Sequence, residues 1–193
     1  MKREMSFVEF KKQNLKGYTL IEGYPGMGLV GTIAAKYLVE KLKFEEIGYI
    51  DSDIFSPVIR IQDGIPVRPA RIYADHKKKV VVLVAEQVIA HEFSYALAKK
   101  TVEWIKEKEI KELISLSGVH AGPDQSREII YGIAANDESK SLLKKYNIQE
   151  IGAGVTTGIT ALILLELSRA DVKAISILGN VQMNADHKAA AEV

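Results

Sequence analysis

Apolar positions along the chain fall into two alternating kinds of segment: short unbroken runs, and longer stretches with helical spacing. Residues 18–22 form a short apolar run, a glycine cluster follows, and Leu29, Val30, Ile33, Ala34, Tyr37, Leu38 and Leu42 then recur at helical intervals, the signature of one helix face. A strand, a turn and a helix are predicted there. Residues 47–50 read as the next strand. Residues 57–61 and 67–74, either side of Gln62-Asp63-Gly64-Ile65-Pro66, read as a hairpin inserted at a sheet edge. Val80-Val81-Val82-Leu83-Val84 lacks polar alternation, which suits a central parallel strand covered on both faces. Phe93, Leu97, Thr101 and Trp104 form a helical stripe whose far side is Lys and Glu. Residues 113–116 and 128–134 read as strands, Asp137 as the cap of a helix through Tyr146, and 148–153 as the approach to a second glycine-containing turn. Residues 159–167 make a helix that is apolar nearly all round, and 172–178 supply a final strand.

Strands alternating with helices of this length predict an α/β protein: a three-layer α/β/α domain with a mostly parallel central sheet and an edge hairpin. No linker-like stretch or internal repeat divides the chain, so its 193 residues are expected to form a single domain. A hydrophobic fraction of 47% against 26% charged residues is globular. The balance of 26 Lys+Arg and 25 Asp+Glu leaves no large field for a phosphate backbone, so nucleic acid is not an expected partner. With no cysteine, disulfides, thiolate nucleophiles and thiolate metal sites are excluded. No apolar run approaches the roughly 20 residues that span a bilayer. The chain therefore reads as cytoplasmic, with no membrane partner. Its Lys and Glu, with abundant Ile and Val, form a balance reported for thermophile proteins.

The sharpest local motif is Gly26-Met27-Gly28-Leu29-Val30-Gly31, a G-x-G-x-x-G after a predicted strand and before a helix, with Asp51 at the end of the next strand. Such glycines let backbone approach a pyrophosphate at a helix N-terminus while the acid holds a ribose. A nucleotide or nucleoside enzyme, with Asp51 or Asp53 on the ribose and Glu86 or His120 as acid or base, is the alternative this supports. The competing view is that the glycines only build a sharp turn and let the helix pack closely on the sheet. No P-loop pattern occurs. Ser117, His120 and Asp124 follow a buried strand and could be arranged as nucleophile, base and orienter, but the elbow G-x-S-x-G is missing. His91, His120 and a carboxylate would have to converge to bind a metal, and no metal-binding spacing is present. His76 and Lys77-Lys78-Lys79 read as a solvated hairpin end and a charged edge guard.

Several segments in order resemble the proteasome assembly chaperone family, in particular its archaeal members. They are Gly23-Tyr-Pro-Gly-Met-Gly-Leu-Val-Gly31 with Ala34, Ala35, Tyr37 and Leu38 after it, and Asp51-Ser-Asp-Ile-Phe-Ser-Pro57. The strand ending at Glu86, Gly118, Tyr131-Gly-Ile-Ala-Ala135, Gly152-Ala-Gly154 with Gly158, and Ala189-Ala190 complete the pattern. The resemblance spans about residues 18–190 and implies a phosphorylase/hydrolase-like α/β/α fold, self-association, no catalysis and no cofactor or metal. It further implies binding to proteasome α-subunits, with Gly26, Gly28 and Gly31 structural. Residues 159–167 and Phe55 beside Pro57 would serve subunit contacts, and a cyclic homo-oligomer is expected. Some archaeal members carry a C-terminal tail whose penultimate tyrosine docks into the α-ring. This chain ends Ala191-Glu192-Val193, with no tyrosine in the penultimate place: either the tail is truncated, which an ending that reads as a helix cut midway favours, or this member lacks that anchor.

Overall fold

The computed structural model describes residues 5–53, 55–120, 122, 126 and 128–193. Its strands are β1 (Met5–Glu9), β2 (Thr19–Gly23), β3 (Glu45–Ser52), β4 (Arg60–Gln62), β5 (Ile65–Val67), β6 (Ala70–Asp75), β7 (Val80–Ala85), β8 (Glu112–Val119), β9 (Tyr131–Ala134), β10 (Gln149–Glu150) and β11 (Lys173–Asn180). The helices are α1 (Val30–Leu42), α2 (Ser94–Glu107), α3 (Lys140–Lys145), α4 (Gly158–Leu167) and α5 (His187–Glu192). A nine-stranded sheet has the order β1-β3-β6-β7-β2-β8-β11-β9-β10. Its centre, β7-β2-β8-β11, is parallel, and antiparallel pairings extend it through β6, β3 and β1 on one side and β9 on the other. The mostly parallel α/β architecture expected from the sequence is thus present at the core of a mixed sheet. None of the helices among the described residues is long and apolar enough to cross a membrane.

Alternation along the central strands assigns the layers. In β8, Leu113 packs with α2 and α4, while Ile114 and Leu116 pack with α1 and α5. Leu97, Val102 and Ile105 of α2 and Ile163 and Leu167 of α4 join the first of these layers, and Val30 and Ala34 of α1 meet Ala189 and Ala190 of α5 in the second. The apolar surface of α4 is therefore partly consumed inside the subunit: Ile159, Ile163, Leu164 and Leu167 are buried, and Leu165 alone of its large apolar residues is fully exposed. Phe55 is likewise partly buried against the core.

The hairpin differs from the sequence expectation. Its strands are the short β4 and β5, forming a separate two-stranded sheet closed by Asp63 and Gly64 at φ 52° and 79°, the paired positive angles of a tight hairpin turn. Residues 70–75 instead form β6, an interior strand between β3 and β7. The lysines at 77–79 consequently guard no edge; they turn the chain from β6 to β7, with Asp75 accepting from the Lys77 and Lys78 amides at 2.9 Å each. The start of α3 also differs, since Asn136 Oδ1, not Asp137, accepts from the Ser139 amide at 2.9 Å.

Candidate functional site

A cleft of about 690 Å³ opens at the C-terminal ends of β2, β8 and β11, where open α/β sheets commonly receive ligands. One wall is the Tyr24-Pro25-Gly26-Met27 loop, the floor includes Ser117 and Leu178, and the facing wall is residues 151–157 with the first turn of α4. Ser117 and Leu178 are register partners on β8 and β11, so one face of the sheet presents both to the same space.

Directly behind this cleft lies a buried polar network that sequence reasoning missed. Glu22 of β2 has no exposed surface. It accepts hydrogen bonds from Ser115 Oγ, from Thr160 Oγ1 at 3.3 Å and from the Tyr24 amide at 2.8 Å. Thr160 also lines the cleft. Burial pushes the Glu22 carboxyl up to about 7, against the lowering effect of those three bonds. Beside it, the buried Tyr24 ring runs under α2. Thr101 Oγ1 donates to the Leu97 carbonyl at 2.9 Å, so at 2.8 Å from Tyr24 it accepts the tyrosine hydroxyl proton. Burial holds that hydroxyl well above the ordinary tyrosine range. The available signal was alternation: Leu20 and Glu22 share a face of a buried strand, as do Leu113 and Ser115 in the strand beside it.

The glycine motif is built differently from a nucleotide loop. Of Gly26, Gly28 and Gly31, only Gly26 borders the cleft. Gly28 is buried with φ 64°, and a Cβ there would stand 2.7 Å from Val181. A Cβ on Gly31 would stand 2.1 Å from the Leu116 carbonyl oxygen, so this glycine lets α1 lie directly on β8. The start of α1 is closed by Val181 and by the Asp186 amide, which donates to the Gly28 carbonyl at 2.8 Å. Met27 is 45% exposed on the cleft. Asp51 sits on β3, separated from β2 by β6 and β7, and pairs with Arg68 at 2.9 Å; Asp53 follows the same strand. The constellation of Gly26, Gly28, Gly31 and Asp51 is thus not assembled, because two strands intervene.

The other candidates are also dispersed. His120 donates through Nδ1 to the Val181 carbonyl at 2.7 Å, whereas Ser117 faces the cleft; Asp124 lies outside the described residues. His91 belongs to a short turn before α2, and no cluster of three or more His, Asp or Glu side chains able to hold a metal occurs among the described residues. His76 Nδ1 lies 3.1 Å from the Tyr18 hydroxyl. Glu86 is held by cations: Lys36 at 3.1 Å, Arg71 at 3.2 Å and Arg60. Arg71, only 4% exposed, also donates to Gln62 Oε1 at 2.8 Å. This group fastens the root of the β4–β5 hairpin to α1, β6 and the end of β7. The hairpin is also rich in open apolar surface, with Ile61 on the face opposite Gln62 and Ile65 beside Gln62 on its own face, and Ile59, Ile61 and Ile65 are each at least 60% exposed.

An uncharacterized protein of Methanocaldococcus jannaschii is 32% identical over 174 residues, covering 90% of this chain and 71% of the relative. The fold matches the crystal structure of PbaA from Pyrococcus furiosus, described as an archaeal homolog of proteasome-assembly chaperone, with a TM-score of 0.88 and 30% identity over 97% of this chain and 77% of that one. It also matches PbaB of the same organism, described as an archaeal proteasome activator, with a TM-score of 0.83 over 98% and 86% of the two chains; at 20% identity that likeness concerns the fold. The PAC2 family profile matches residues 20–193, bearing out the resemblance read from residues 18–190, and the chain belongs to the PAC2 family.

Proposed function

We propose that this PAC2 protein is a non-enzymatic, chaperone-like protein that self-associates and binds proteasome α-subunits or related partners. The observation that carries the reading is its likeness to PbaA over 97% of the chain at 30% identity. The surface supports it. The hairpin offers Val58, Ile59, Ile61 and Ile65 to solvent from a base fixed by ion pairs, so apolar anchors are presented in a set orientation. Interfaces draw most of their energy from a few such anchors within a polar rim. The placement of Asp51 two strands away from the glycine turn and the bond of His120 to the Val181 carbonyl favour this reading over a nucleotide enzyme or a hydrolase.

Native mass spectrometry of the protein, alone and mixed with α-subunits of the proteasome from the same source, tests the proposal. A defined oligomer that captures α-subunits is expected. A monomer at high micromolar concentration that captures none would overturn it.

A further inference from the structure

The cleft between the Tyr24–Met27 loop and α4 is not accounted for by a scaffold role. The cleft leaves about 690 Å³ open, within the range of small-molecule sites. A Cβ on Gly152, in the facing wall, would meet nothing within 4 Å, so that position admits a larger side chain.

The lining selects among ligands. Among the described residues its side chains are aliphatic or methionine, as at Ile133, Ile159, Leu178 and Met27, or bear hydroxyls, as at Ser117 and Thr160, and none of these is charged. An ionised ligand group would leave water with no opposite charge among these described side chains to meet it, which is costly. The nearest buried carboxyl, Glu22, is screened behind Thr160 and already accepts from Ser115, Thr160 and the Tyr24 amide, so it cannot receive a ligand cation. We propose that this cleft binds a small uncharged molecule, with an apolar body against Ile133, Ile159 and Leu178 and a hydrogen-bonding edge on the hydroxyls of Ser117 and Thr160.

Amide NMR titration of the full chain tests this with indole, benzamide and benzyl alcohol as uncharged probes, and benzoate and phenyl phosphate as charged ones. The uncharged probes are expected to shift the amides of residues 24–27 and 152–160 saturably, and the charged ones at least tenfold more weakly. Gly152→Trp should reduce uncharged-probe affinity at least tenfold while leaving resonances remote from the cleft in place. Thr156→Trp fills the same space from a second position if the first variant folds poorly. Thr160→Val should weaken all three uncharged probes, because the Thr160 proton goes to Glu22 and the N–H or O–H of each probe donates to the remaining oxygen lone pair, whereas toluene, which has no donor, should bind both forms alike. Benzoate or phenyl phosphate binding as well as benzyl alcohol, shifts confined to other surfaces, no saturable shift up to the solubility limit, or indifference to both tryptophan variants would each overturn the assignment. None of these outcomes depends on capture of α-subunits, so the two proposals fail separately.

Discussion

At the scale of single residues, Glu22 is the position where physical chemistry makes the firmest demand. Its carboxyl is held at about 7 by burial, against an ordinary unfolded value near 4.3. The folded protein therefore binds more protons than the unfolded chain between those values. Stability should fall as pH rises through that window and level off above it, by on the order of 3 kcal/mol in full. Glu22→Gln removes the titration, so any pH-independent cost of the substitution cancels when its effect is compared at two pH values. Urea midpoints at pH 5 and pH 8 should show the variant gaining about 2–3 kcal/mol relative to the parent over that interval; an equal difference at both would refute the role of burial. Gly31 makes a steric demand. With the Leu116 carbonyl 2.1 Å from where its Cβ would stand, Gly31→Ala must push α1 off β8 and should cost about 3 kcal/mol in the same assay. The motif containing Gly31 was visible in the sequence, but its meaning was not, because close approach to β8 and approach to a phosphate require the same residue.

At the scale of elements, what could be read was what is fixed locally. The strand–turn–helix of β2 and α1 and the buried runs of β7, β8 and β11 carry their periodicity in contiguous residues. Elements defined by distant partners could not be read in this way. β1 is a five-residue, half-buried segment that becomes a strand through antiparallel pairing with β3 and by stacking Phe7 on Trp104 of α2, with ring centroids 4.8 Å apart. β6 was read as part of an edge hairpin because its neighbours, β3 and β7, are not specified by its own sequence. The true hairpin, β4–β5, is too short to hold its orientation alone, and its fixity comes from the ion pairs around Glu86. Glu86→Gln leaves the buried Arg71 with Glu46 at 3.5 Å as its remaining carboxylate, and removing one partner of a buried pair is strongly destabilising. A loss of about 3 kcal/mol is expected, with faster amide exchange in residues 60–67 than in β7 or β8. Uniform exchange across the sheet would mean that the hairpin does not depend on this clamp.

At the scale of the whole molecule, the chain's own helices cover the sheet, and large exposed apolar residues stand both on those helices, as at Tyr37, Tyr95 and Leu165, and on the hairpin. The hairpin concentrates four of them, Val58, Ile59, Ile61 and Ile65, whereas the apolar helix α4 has turned most of its surface inward. This moves the expected contact region from residues 159–167 to residues 58–65. Replacing Ile59 and Ile61 together by Lys tests the shift cleanly, because both side chains already stand in water and their loss removes no core packing; surface changes of this kind usually stay within about 0.5 kcal/mol of the parent stability. Under the proposed self-association, the double variant should keep the parent's urea midpoint within that margin yet move to a smaller species in native mass spectrometry. The corresponding change at Leu165, exposed on α4, should leave the assembly intact. If instead the Leu165 variant dissociates and the hairpin variant does not, the helix surface forms the subunit contact, and the hairpin's exposed isoleucines are left for a partner other than a second copy of the chain.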